Sequence, residues 1–552
     1  MDLLIEAGVE YVAFNPGATF RGIHDSLTHR PGAPAIILCT HEEVAVSLAH
    51  GYAKAAGRPM AVLLHDLVGL QHATMAIYNA WCDRAPILLI GGSGPASTAK
   101  RRPWIDWIHT ADVQAQQVRD YVKWDDQPAD AASIPMAFAR AWRTAAASPP
   151  GPVYLCLDAA IQEERFEGWE WPGLDAFPAP ASPAPAREGV QQLASWLRDA
   201  QLPVLVTDYA GADARGFDAL VALAEATGAP VIDRGARMSF PSHHELNFSA
   251  LAGETLAAAD AVIAVDVEDL HGALGDLRPE RVADITVRHL KQRSWSHDFQ
   301  ALPAVDLLLT AAAQPALEAI LEELAAEPVP NARLVERRRR TAGRSAAQRA
   351  LDWEGARAAV GASSVSASRV MAELWPLLEN QRFVVTHGRP TGFERRLWRF
   401  EHAGQHMGWH GGAGQGYGVG ASIGVALAAP RGTICVDLQA DGDLLYTASG
   451  LWTAAHLRVG LLIVVLNNRQ YGNTVGHSRQ IAALRGRVTD RSAVGGSLED
   501  PAVDFAGLAR SFGMWSTGPI GDPHLLHEPL RDAIAVVRDG RPALVEVLVP
   551  GV

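Results

Sequence analysis

Cysteine is scarce in this chain of 552 residues. There are four, Cys39, Cys82, Cys156 and Cys435, far apart and with no Cys-x-x-Cys pair. All four sit in or beside apolar segments, so neither a disulfide framework nor a cysteine zinc site is expected, and reduced core thiols of an intracellular protein are. No apolar run approaches the roughly 18 residues that a membrane-spanning helix needs. The opening "MDLLIEAGVEYVAF" lacks the basic head of a signal peptide. A surplus of basic residues is also missing. The formal net charge is −13, which argues against nucleic acid or another polyanion as partner. The expected compartment is the cytoplasm, with no membrane contact.

What is present is alternation. The chain is too long for one core, and about three domains are expected. In the first third, short apolar runs such as "APAIILCT", "MAVLLH" and "APILLIGGSG" alternate with helical stretches such as "HEEVAVSLAHGYAKAAG" and "HATMAIYNAWCD". That rhythm indicates a parallel sheet covered by helices. It returns in "LPVLVTDYAG" and "ADAVIAVDVEDLHG", and again in "TICVDLQADG" and "LLIVVLNN". The expected fold is therefore α/β, three consecutive doubly wound parallel-sheet domains over residues 1–165, 190–325 and 365–552. A proline-rich linker (166–189) and a basic helical one (326–364) separate them. The four arginines 337–340 read as a solvated interdomain helix rather than an anion site.

Two features compete for the chemistry. "GGAGQGYGVGASIGVALAAPRGTICVD" mimics a dinucleotide fingerprint, but no buried strand precedes its glycines and their spacing is wrong, so NAD is not expected. Close helix packing explains some of these glycines, though hardly so many. The second feature is a pair of strand ends. "VDLQADGDLLY" (436–446) runs into Asp441, Gly442 and Asp443, and "LLIVVLNNRQYG" (461–472) ends in Asn467 and Asn468. A carboxylate at Asp441 and an amide oxygen at Asn468 are hard ligands. With a backbone carbonyl they suit Mg²⁺ or Ca²⁺, not zinc. Mg²⁺ usually completes its shell from water and phosphate, so the pair implies a phosphate ester at strand ends beside a helix N-terminus.

Asp-Gly, about 27 residues, then Asn-Asn resembles the thiamine diphosphate motif. The resemblance covers nearly the whole chain. "NPGATF", "HEEVAVSLAHGYAKAAGRP" and "IYNAWCDRAPILLIGG" are similar, in order, to the pyrimidine-binding domain of the acetolactate synthase and benzoylformate decarboxylase group. "LWTAAHLRVGLLIVVLNN" resembles its diphosphate-binding domain, and 190–325 the central one. The resemblance implies thiamine diphosphate and Mg²⁺ as cofactors. Asp441, Asn468 and the carbonyl of Gln470 become the metal ligands, and Gly442, Asp443, Tyr471 and Gly472 line the diphosphate. Glu42, nine residues before Gly51, becomes the carboxylate that promotes the reactive pyrimidine tautomer. It further implies a homodimer or homotetramer with active sites between subunits. The central unit shows no convincing nucleotide motif, and FAD is not expected.

The departures from the pattern are local. Asp443 stands where serine or alanine is usual; backbone contact to phosphate is expected there, with the side chain turned aside. Gln415 replaces the apolar wedge that bends the cofactor. Ala18 replaces a serine beside the reacting carbon. His65 takes the position of a catalytic histidine, and His271 is a weaker second pocket histidine. The stretch after Asn468 reads as a long surface loop rich in arginine. The expected reaction is cleavage or formation of a C–C bond on a small 2-oxo acid or aldehyde, foremost non-oxidative decarboxylation to an aldehyde. The alternatives are an acetolactate synthase-like carboligase or lyase, and a noncatalytic relative that only binds the cofactor.

Overall fold

The structure is a computed structural model that describes all residues except 166–170, 292–299, 359–363, 389–391 and 552. Parts of both expected linkers therefore lie outside the described residues. Three parallel sheets follow one another. The first holds β1 (Tyr11–Phe14), β2 (Ala35–Leu38), β3 (Met60–Leu64), β4 (Ile87–Ser93), β5 (Asp125–Asp126) and β6 (Val153–Asp158), in the order β2-β1-β3-β4-β6-β5. The second holds β7 (Pro203–Thr207), β8 (Val231–Asp233), β9 (Ala261–Val265), β10 (Arg281–Thr286) and β11 (Leu307–Thr310), in the order β11-β10-β9-β7-β8. The third holds β12 (Phe383–His387), β13 (Ile434–Ala440), β14 (Leu461–Asn467), β15 (Trp515–Ile520) and β16 (Ala543–Leu548), in the order β12-β13-β14-β16-β15. Every residue of β3 and β14 is buried. Unbroken apolar strands are what a parallel sheet needs when helices cover both its faces.

Eight helices frame the sheet edges and the joints between domains: α1 (Glu42–Ala56), α2 (Asp66–Cys82), α3 (Ile105–Ile108), α4 (Asn331–Thr341), α5 (Arg344–Ala358), α6 (Tyr417–Ala428), α7 (Asp441–Tyr446) and α8 (Gly472–Leu484). The His41 side chain caps α1 by accepting from the Glu43 amide, and Gly57 ends the helix in the left-handed region. The stretch after Asn468 departs from expectation. It opens as α8, a helix of 13 residues, rather than a loop.

The glycine-rich stretch has a structural explanation. Helix α6 lies against α1 so closely that a Cβ on Gly424 would sit 1.9 Å from the Leu48 carbonyl oxygen. A Cβ on Gly51 would sit 2.0 Å from that of Ala421. Backbone meets backbone, and only glycine allows it. Gly411 meets the backbone of α2 at Cys82, whereas Gly412 and Gly414 lie against the side chains of Asn79 and Met75. Close packing accounts for far more of these glycines than the sequence suggested. It also joins the cores of the first and last domains into one apolar cluster.

The arginine run is divided. Arg338, Arg339 and Arg340 are exposed, but Arg337 is fully buried. Its guanidinium donates to the carbonyls of Leu197 (2.6 Å) and Ala200 (2.7 Å), and to that of Thr227. These oxygens lie at the C-termini of two central-domain helices, where unsatisfied carbonyls favour a cation. Arg337 is thus a buried clamp between α4 and the central domain, not a solvated charge.

Candidate functional site

The carboxyl edge of the first sheet gathers imidazoles around one carboxylate. Glu42 opens α1 and is buried. Its Oε1 accepts from Asn15 Nδ2 (3.3 Å), in the turn after β1. Its Oε2 lies 3.2 Å from Nδ1 of His72, on α2. The His72 ring stacks on His41 at 5.0 Å. His65 follows β3, and Asp66 starts α2 beside it. Thr19, buried in the next turn after β1, joins them: its hydroxyl accepts from the Asp66 amide (3.1 Å) and lies 3.0 Å from His65 Nδ1. Burial pushes the His65 pKa down, against the pull of Asp66, and pushes that of Asp66 up. In the order β2-β1-β3 this edge is a topological switch point, where open α/β sheets bind ligands.

The carboxyl edge of the third sheet gathers oxygens. β13 and β14 pair in parallel with Ala440 opposite Leu466, so Asp441 and the Asn467–Asn468 pair emerge side by side. Asn467 is committed to structure: Nδ2 donates to Glu546 on β16 (2.8 Å), and Oδ1 accepts from the Arg469 amide (2.9 Å). Asn468 is half-buried, its Oδ1 accepting from the Gln470 amide (3.1 Å). Arg469 turns the chain with φ 55°, a costly left-handed conformation for a non-glycine residue. Tyr471 then lies over Gly442, where a Cβ would come 2.6 Å from the ring. The N-termini of α7 and α8 open onto the same edge. A carboxylate, an amide oxygen and a backbone carbonyl beside two helix N-termini form a donor set that fits Mg²⁺ with a phosphate.

A polar seam joins the two edges within one chain. Asn79 on α2 donates to the Gly414 carbonyl (3.1 Å) and accepts from the Gly414 amide (3.1 Å). Lys54 on α1 donates to the Trp409 carbonyl (3.1 Å) and is buried against Asp83. Burial lowers the Lys54 pKa to about 8. Burial opposes ionisation of Asp83 too, yet Lys54 and His50 hold its carboxyl well below the usual range. Asp443 belongs to this seam. Its Oδ1 accepts from the Gly416 amide (2.7 Å), and its Oδ2 from Gln439. The side chain ties the Gln415 turn to β13. Glu43 faces it across Gly416, and burial with the nearby Asp443 charge raises the Glu43 pKa to about 7.

With this geometry, comparison with known proteins is decisive. Residues 1–120 match the family model "Thiamine pyrophosphate enzyme, N-terminal TPP binding domain". Residues 387–547 match "Thiamine pyrophosphate enzyme, C-terminal TPP binding domain". The chain belongs to the thiamine pyrophosphate enzymes. Benzoylformate decarboxylase of Pseudomonas aeruginosa is 28% identical to it, over 99% of this chain and 97% of that protein. The large subunit of acetolactate synthase isozyme 3 of Escherichia coli is 25% identical, over 99% and 93%. The thiamine diphosphate-dependent 4-hydroxybenzoylformate decarboxylase of Rhodococcus jostii RHA1 has the same fold, with a TM-score of 0.78 at 21% identity, covering 100% of this chain and 98% of that one.

In this thiamine pyrophosphate enzyme the residues singled out by sequence fall in three groups. Glu42 and His65 lie on the first edge, with Ala18 exposed in the turn beside Thr19. Asp441, Gly442, Asn468, Gln470, Tyr471 and Gly472 lie on the third, and Gln415 is exposed in the turn fixed by Gly414 and Gly416. His271 stands apart from both edges, exposed on the short helix Leu270–Leu274 of the central domain. Sequence reasoning missed Asn15, Thr19, His72 and His109. His72 had a signal, since it follows His65 by seven residues, two helical turns on one face. His109 had none, because a loop brings it back from the far side of β4. No described helix is long and apolar enough to cross a membrane.

Proposed function

We propose that this chain decarboxylates a small 2-oxo acid to the aldehyde, using thiamine diphosphate and Mg²⁺. The observation that carries this reading is the β13–β14 register, which puts Asp441 beside Asn468 at one sheet edge. Asp441, Asn468 and the Gln470 carbonyl would hold Mg²⁺. Gly442, Tyr471 and Gly472, at two helix N-termini, would cradle the diphosphate. When bound, the cofactor supplies an electron sink for the pair released as CO₂ departs. Glu42 offers a buried carboxylate, oriented by Asn15 and His72, to hold a proton against a heteroaromatic nitrogen. His65 moves a proton at the reacting carbon. Gln415 presses on the cofactor from its tied-down turn.

A second reading, capture of another carbonyl by carboligation, is favoured by Ala18, which is exposed and offers no hydroxyl at its position. The noncatalytic reading loses ground, because Asp443 has a structural task and Glu42 sits in a prepared polar setting. The working form is a homodimer or homotetramer in the cytoplasm. Exposed Trp104, Trp107, Leu484 and Val494 support association, and four buried free cysteines support a reducing compartment. The test is a panel of 2-oxo acids, with and without thiamine diphosphate and Mg²⁺, read as CO₂ released and aldehyde formed. Cofactor-dependent release is expected. Absence of release across aliphatic and aromatic acids, with the cofactor bound, would sink the decarboxylase reading.

A further inference from the structure

His65 shares Asp66 with a second imidazole. His109 ends the segment that carries α3, on the far side of β4. Its carbonyl accepts from the amide of Leu67 in the first turn of α2 (3.4 Å). The segment is braced by Arg102, whose amide and guanidinium each reach Asp106 at 2.7 Å. This brings His109 Nδ1 to 3.4 Å from Asp66 Oδ2, while His65 Nε2 lies 3.7 Å from the same oxygen. One nitrogen of each ring and one Asp66 oxygen all lie within 4.8 Å of one another. The rings meet edge to face at 5.7 Å. His109 Nδ1 is buried and makes no hydrogen bond among the described residues.

Thr19 Oγ1 accepts from the Asp66 amide and lies 3.0 Å from His65 Nδ1, while His65 Nε2 faces Asp66 and His109. We propose that His109 is a positioning residue for proton delivery: it shares the Asp66 carboxylate with His65, and the three side chains together hold one exchangeable proton beside Glu42. A buried carboxylate is costly alone and is neutralised by one imidazolium, whereas a second would leave net positive charge. A charge on His109 therefore disfavours a charge on His65. The other charged or titratable groups facing them are Glu42 from α1, the mutually paired Arg102 and Asp106, and Tyr154 and Cys156 from β6, both kept neutral by burial.

This inference rests on the decarboxylase reading. The overall change is R–CO–COO⁻ + H⁺ → R–CHO + CO₂. The C–C bond to the carboxylate breaks and its electron pair stays with the acyl carbon. The imidazolium form of His65 gives up one N–H proton, its pair returns to the ring nitrogen to leave the neutral ring, and a C–H bond forms. A proton taken up from solvent through His109 restores the imidazolium, which Asp66 stabilises.

Two measurements test this. In the cofactor-free protein, imidazole NMR should show His65 titrating in two steps. In His109→Gln it should titrate in one step, and in Asp66→Asn His65 should titrate at lower pH. In the loaded enzyme, His109→Gln should lower kcat about tenfold with little change in KM, and should remove one ionisation from the kcat–pH profile. Added imidazole should restore activity to His109→Gly. A His65 titration in His109→Gln that superimposes on the parent, or an unchanged profile, overturns the proposal. So does tight stoichiometric Zn²⁺ uptake lost in His109→Gln, which would assign the cluster to a metal. If the parent protein releases no CO₂ while the two-step titration persists, the decarboxylase reading fails and the coupling of the rings stands.

Discussion

The carboxyl edges of the first and third parallel sheets carry opposite chemistry. At the first, buried Glu42 and Asp66 are ringed by the imidazoles of His41, His65, His72 and His109. At the third, Asp441, Asn468 and the Gln470 carbonyl offer hard oxygens beside two helix N-termini, a setting for cations and phosphate. Both edges are strand ends of a parallel sheet, and the side chains in the turns make one rich in imidazoles and the other in oxygens. The seam between them, Lys54–Trp409 and Asn79–Gly414, ties the two domains together within one chain.

The contrast breaks most completely at the oxygen edge. Asp441→Ala should abolish retention of thiamine diphosphate with Mg²⁺ and all turnover, checked by calorimetric titration and a CO₂ assay. Glu42→Gln should separate the edges. Turnover should fall by about 10²–10⁴-fold while cofactor binding is largely kept. A normal rate in that variant would remove Glu42 from the chemistry. The seam comes next. Asp83→Asn leaves Lys54 buried with its charge unpaired and should cost about 3–5 kcal/mol in urea unfolding.

The smallest effect is the most diagnostic of the seam. Burial and the Asp443 charge raise the Glu43 pKa to about 7 from its ordinary value of 4.5. Folded protein therefore binds more protons than unfolded between those values, so this group's contribution to stability falls as pH rises from about 4.5 to about 7. Glu43→Gln removes that decline. At pH 8 the variant should be more stable than the parent by about 1 kcal/mol after solvent screening, and by much less at pH 4. Equal pH dependence of the two melting curves would show that the Glu43 carboxyl is not raised in the folded protein.

Much of this is legible in the chain itself. Uninterrupted apolar strands such as "LLIVVLNN" announce parallel sheets, because both faces must be covered. Asp441 and Asn468 are legible because each immediately follows its strand, and a strand end fixes where a side chain emerges. The arginine run misleads at one position. Nothing local distinguishes Arg337 from its neighbours, and only the carbonyls of Leu197, Ala200 and Thr227 make it a buried clamp. The glycines of 411–424 are hard to weigh for the same reason, since their partners on α1 and α2 are more than 300 residues away in sequence.

The sequence by itself determined the α/β class, the family and the oxygen edge, because periodicity and strand-end chemistry are local and survive in one dimension. Only the tertiary structure decided that Asp443 ties the Gly416 turn to β13, that many of the glycines form a helix seam, and that His109 reaches Asp66. Each depends on elements distant in the chain being packed to within a few ångströms, and the depth of their burial sets what a carboxylate or an imidazole can do.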